Sequence, residues 1–116
     1  MMITLQTLIS PAAVAVGRDT NGLRKFLARR APEIMQGEVH SIEEEFAGGA
    51  VPVTIVLNRL LGVVKEVEES LRREATEAGL LDRLHLTCEL AEPNLVRVDV
   101  VPDSSVNLNL ISLEVH

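Results

Sequence analysis

Three histidines, one cysteine and six serines stand out in this 116-residue chain as side chains that could hold a metal or attack a substrate. His40, His85 and His116 fall in three separate segments, with no HExxH, CxxC or comparable spacing to bring them onto one ion. His85 and Glu89 share one face of an expected strand, but a metal there would need further ligands from elsewhere. Ser10, Ser41, Ser70, Ser104, Ser105 and Ser112 all lack the GxSxG setting that exposes a nucleophile. Cys88 would need exposure and an activating base, and the neighbouring His85 has the wrong strand parity to share its face. Gly48–Gly49 has no following GKS/T or GxGxxG signature, so no phosphate loop is read there. The carboxylates of Glu43 to Glu45, and those of the later helix, read as solvent coverage. No catalytic, cofactor-binding or metal-binding residue is expected, and the chain reads as a non-enzyme.

Composition narrows the classes further. Hydrophobic residues make up 47% of the chain and charged residues 24%, enough apolar surface for one folded domain. Phe26 and Phe46 are its only aromatic side chains, which leaves little for base or sugar stacking. A net charge of −6 argues against a nucleic-acid partner. Arg24, Lys25, Arg29 and Arg30 form one basic cluster, read as a solvated helix face. Cys88 shares an aliphatic strand face with Leu84, Leu86 and Leu90, where a lone thiol behaves as a small hydrophobe. It fits synthesis in a reducing compartment. Leu8 to Val16 is mostly apolar but lacks a basic leader and is interrupted by Ser10 and Pro11, so no signal peptide is expected. No apolar run approaches the roughly 18 residues of a membrane span.

The elements follow from periodicity. Residues 1–9 alternate weakly through Ile3, Leu5, Thr7 and Ile9, which fits a short strand or an N-terminal arm within 1–18. Asp19, Thr20 and Asn21 are N-cap candidates for a short helix carrying Leu23, Phe26 and Leu27. Pro32 is expected to end that helix or start the next. Met35, Val39, Ile42 and Phe46 keep helical spacing, against a penalty of about 1 kcal/mol for Gly37. A break is expected at Phe46-Ala47-Gly48-Gly49. The strongest helix carries Leu57, Leu60, Val64, Val67, Leu71 and Ala78, flanked by Leu61 and Ala75, with Thr54 as cap and Gly79 as stop. Glu68 with Arg72 and Glu69 with Arg73 are favourable i,i+4 pairs. A coiled-coil seam is the alternative use of this stripe.

Three strands are expected after it. Leu84, Leu86, Cys88 and Leu90 alternate with polar residues, as do Val96, Val98 and Val100. The third run sets Val106, Leu108 and Leu110 on one parity and Ile111, Leu113 and Val115 on the other. Such a phase change means either a bulge near Leu110–Ile111 or a strand serving two surfaces. The fold class is therefore α+β: two or three helices packed on a small C-terminal antiparallel β-meander, in a single domain over residues 1–116. A long aliphatic strand with an unpaired edge calls for a partner. Val106, Leu108, Leu110, Ile111, Leu113 and Val115 are the expected partner interface, the last three against another chain.

Residues 46–116 resemble the tail-sheath initiator family, the lysozyme-like baseplate wedge proteins of contractile phage tails. Four features carry the resemblance. They are the Phe46-Ala47-Gly48-Gly49 break, the amphipathic helix after it, Glu92–Pro93 at the place of a Glu-Pro-Arg signature, and two closing aliphatic strands. Asn94 stands where the family has arginine, and the strand over 83–90 is an addition. The resemblance implies a structural virion protein, made in the bacterial cytoplasm and placed in the tail. Its C-terminal strands would add to those of sheath or baseplate neighbours, or of a second copy, with no cofactor, nucleic acid or membrane. The alternative is a cytoplasmic dimerising interaction or regulatory module using the same edge.

Overall fold

A computed structural model of the chain describes residues 2–49 and 52–103. Its elements run β1 (Thr4–Ile9), α1 (Pro11–Val16), α2 (Thr20–Glu45), α3 (Val53–Glu77), β2 (Leu84–Glu92) and β3 (Leu95–Pro102). The fold is α+β, with the helices gathered on one face of a three-stranded sheet ordered β1-β3-β2. Val96, Val98 and Val100 on the central strand have no exposed surface. Their register neighbours Leu5, Thr7 and Ile9 on β1, and Leu90, Cys88 and Leu86 on β2, share that helix-facing side. The expected alternation of both strands is present, with Leu84 and Leu86 buried and Cys88 and Leu90 half-buried.

The sheet is mixed. β2 and β3 form the expected antiparallel pair, closed by Pro93–Asn94, with a register shift between Leu90 and Glu92. The third described strand comes from the other end of the chain: β1 runs parallel to β3 from Thr4↔Leu95 to Ile9↔Val100. Its weak alternation hid this, because Thr7 stands where an aliphatic residue would complete the buried stripe. Residues 106–115 lie outside the described residues, and with them Val106, Leu108, Leu110, Ile111, Leu113, Val115 and their phase change. The segment read as a strand or an arm continues into α1, where Ser10 Oγ accepts from Ala13 N–H at 3.0 Å and Ala13 is fully buried. Gly17 follows because a Cβ there would stand 2.8 Å from Leu84 Cδ1.

Pro32 does not divide the next segment. α2 is one helix of 26 residues with Pro32 inside it, capped by Asp19, whose Oδ1 accepts from Gly22 N–H at 2.8 Å. Leu23, Leu27, Ala31, Met35, Val39 and Ile42 make a single buried stripe on both sides of the proline. Burying a large aliphatic side chain stabilises by roughly 1.5–3 kcal/mol, so the stripe outweighs the ~3 kcal/mol that an interior proline costs. The carbonyl deprived of its partner belongs to Ala28, an exposed residue.

α3 is capped by Pro52 without a side-chain bond, so Thr54 lies inside the first turn. Leu60, Val63, Val64, Val67, Leu71 and Ala75 are buried, whereas Ala78 is the exposed C-cap and Leu61 is 52% exposed. Gly79, at φ +73°, ends the helix as expected. α2 and α3 form an antiparallel hairpin, tied by Arg30 to Glu74 at 2.7 Å and Arg59 to Glu45 at 2.7 Å.

A continuous α2 makes Pro32 a net liability. Pro32→Ala should raise unfolding free energy by about 1–3 kcal/mol, measured by denaturant titration. A neutral or destabilising result would mean that Pro32 begins a separate helix.

Candidate functional site

The two edges of the sheet are finished differently, and that contrast is the most functional feature among the described residues. In the β2–β3 ladder the odd-numbered residues of β2 face β3, as Asp103 N–H donating to Arg83 O at 2.9 Å shows. Leu86 and Cys88 therefore turn their backbone groups outward. α3 supplies the partners. Arg72 Nε donates to Leu86 O at 2.7 Å, and Cys88 N–H donates to Glu68 Oε1 at 2.8 Å. Glu68 and Arg72 also meet each other at 3.4 Å. Two helix side chains one turn apart thus satisfy two of the four outward groups of Leu86 and Cys88, and stand where another strand would have to lie.

Glu68 is only 9% exposed, which corrects its reading as solvent coverage. Its place in the sequence carried the signal: it sits four residues after Val64 and three before Leu71, on the flank of the buried stripe. What sequence could not supply was the edge strand that this flank would meet.

β1 forms the opposite edge. Thr4 N–H donates to Asn94 O at 2.8 Å and Ser10 N–H to Val100 O at 3.0 Å, so even-numbered residues bond β3. Leu5, Thr7 and Ile9 consequently aim N–H and C=O outward, and no described strand pairs with them. Before the start of β1, between residues 2–3 and α2, lies a groove of about 270 Å³ lined by Met2, Ile3, Met35, Gln36, Val39, His40 and Glu43.

The side chains screened for chemistry are dispersed. His40 pairs with Glu44 at 3.1 Å, and His85 lies 3.4 Å from an Arg72 nitrogen. His85 and Glu89 do share the helix-free sheet face, but Glu89 is bound by Arg97, which also holds Asp99 at 3.1 Å. His116, Ser104, Ser105 and Ser112 lie outside the described residues. Among those described, no group of three or more His, Cys, Asp or Glu residues is placed to hold a metal. Burial, and then the Glu68 charge, pushes the Cys88 thiol up to about 12, so the thiolate is scarce at neutral pH. In the basic cluster, Arg30 is bonded to Glu74 and Glu33, Arg29 meets Glu33 at 3.8 Å, and Arg24 meets Asn21 at 3.5 Å. No described helix is long and apolar enough to cross a membrane.

One acidic contact works against the hairpin. Glu38 on α2 is raised above the ordinary carboxyl range by burial and then by Glu66 on α3, with Arg59 opposing.

Comparison with protein-family models, with curated proteins and with solved structures returned no match.

Two outcomes follow from this geometry. Glu68→Ala should cost about 1–3 kcal/mol by orphaning Cys88 N–H, while Glu68→Gln keeps an acceptor and loses less. Equal losses in chemical denaturation would show that the bond to β2 is not what holds Glu68. A raised carboxyl pKa means that the folded state holds its proton more tightly than the unfolded chain, so Glu38 contributes stability at low pH that is lost as pH rises. Glu38→Gln should therefore raise the melting temperature at pH 7, with the gain shrinking toward pH 4. A gain that is the same at both values would rule out the acidic contact.

Proposed function

We propose that this chain is a non-enzymatic structural subunit of a contractile phage tail or related baseplate assembly. It joins its neighbours by strand addition through residues 106–115, with Val106, Leu108, Leu110, Ile111, Leu113 and Val115 as the contact side chains. The observation that carries this reading is that the described layers are already complete on the β2 side. α3 covers the helix face of the sheet there, and Glu68 and Arg72 bond the outward Cys88 N–H and Leu86 C=O of β2. On that side the described residues leave little open edge or uncovered stripe for a further strand.

The reading draws on the residues that resemble the sheath-initiator family, of which the last aliphatic run lies outside the described residues. The Phe46-Ala47-Gly48-Gly49 break joins α2 to α3, the amphipathic helix is α3, and Glu92–Pro93 enters the β2–β3 turn. Strand addition relies on main-chain bonds, with alternate side chains supplying specificity. A small acidic protein poor in aromatics suits that role without any reactive centre. Ile111, Leu113 and Val115 would each contribute roughly 1.5–3 kcal/mol gross on full burial, enough to matter for assembly. The protein would be made in the bacterial cytoplasm and carried in the virion tail.

Deleting residues 106–116 tests this directly. Light scattering, with and without a candidate sheath protein, should show assembly lost while the thermal melt is kept. A melt that collapses on truncation would place the segment in the domain's own core and contradict the reading.

A further inference from the structure

Strand donation needs an acceptor, and the two sheet edges are not equivalent candidates. β2 is obstructed at its middle by Arg72 and Glu68, which bond Leu86 C=O and Cys88 N–H. β1 presents the outward N–H and C=O groups of Leu5, Thr7 and Ile9, with no described strand against them. At the N-terminal end of this strand a groove opens between residues 2–3 and α2, with Ile3, Met35 and Val39 as its apolar wall. A strand laid along β1 would send every second side chain toward the helix layer and so toward that wall.

The exit of the chain from the sheet favours a strand from a second copy. β3 ends at Pro102 opposite Leu84, and Asp103 N–H is still bonded to Arg83 O, on the β2 side. β1 is on the other side of β3, and the chain passes from Ile9 into α1 at the near end, with Ser10 bonded to Val100. To reach the outer edge of its own β1, the chain must cross two strand spacings, roughly 10 Å, over the start of α1. A neighbouring copy meets no such obstacle. Donor and acceptor are then different surfaces of one chain, a heterologous contact that builds rings or filaments rather than isologous dimers.

We propose that the outer edge of β1, with the groove under α2, accepts residues 106–115 of a second copy of this chain. The proposal rests on reading 106–115 as a donated strand. It adds the site, the orientation of the bonds through Leu5, Thr7 and Ile9, and a self-partner.

Thr7→Pro in the full chain is the test, because the Thr7 N–H points away from β3 and a proline is tolerated at such an edge position. Sedimentation or light scattering should show self-association weakened at least about tenfold, with the monomer's melt retained. Deletion of 106–116 should have the same effect. As a second readout without mutation, the Leu5, Thr7 and Ile9 amides should gain hydrogen-exchange protection as protein concentration rises. Self-association that is lost on truncation but intact in Thr7→Pro, with those amides unprotected, overturns the acceptor while leaving strand donation standing. Self-association unaffected by truncation overturns strand donation itself. A chain that stays monomeric at all concentrations overturns the self-partner.

Discussion

The bonds from Glu68 and Arg72 to the backbone of β2 are the interaction on which the rest of the molecule depends. A three-stranded sheet covered on one face has two bare edges and little area with which to resist other chains. Here one helix does two jobs. Its apolar stripe packs on the sheet along β2 as part of the common core, and its polar flank bonds the outward Leu86 C=O and Cys88 N–H. This fixes the rotation of α3 about its own axis, since turning it would either expose Val67 and Leu71 or orphan Cys88 N–H. Once α3 is fixed, α2 is positioned by the hairpin contacts, and β1 has its helix-facing residues beneath α2.

The same device explains why Cys88 and its surroundings are quiet chemically. A thiol beside a mostly buried carboxylate and under a helix is held in its protonated form. The one strongly shifted nucleophilic group among the described residues is thus shifted away from reactivity, as a by-product of how the edge is closed. The helix-free face carries short-range ion pairs among Arg97, Glu89 and Asp99, the usual dressing of a solvated sheet surface.

Much of this was legible in the sequence. The period-two runs through Leu84 to Leu90 and Val96 to Val100, the stripe through Leu60, Val64, Val67 and Leu71, and the caps at Asp19 and Gly79 report local geometry, and all are present. The continuity of α2 was not legible, because Pro32 is a local stop signal and only the packing of Leu27, Ala31 and Met35 together overrides it. Nor was the parallel pairing of β1 with β3, a contact across some ninety residues that periodicity does not encode. Glu68 was misread for a related reason: an acidic residue beside an apolar stripe looks exposed until the strand it bonds is in place.

The central claim is that α3 guards the β2 edge while no described strand closes β1, and native-state amide exchange on a dilute sample tests it most directly. Cys88 N–H, although on an edge strand, should be protected to nearly the level of the buried β3 amides and should lose that protection in Glu68→Ala. Leu5, Thr7 and Ile9 should exchange quickly under the same conditions. A Cys88 amide that exchanges as fast as Thr7 in the unaltered protein would contradict the account, since the two edges would then be equally open.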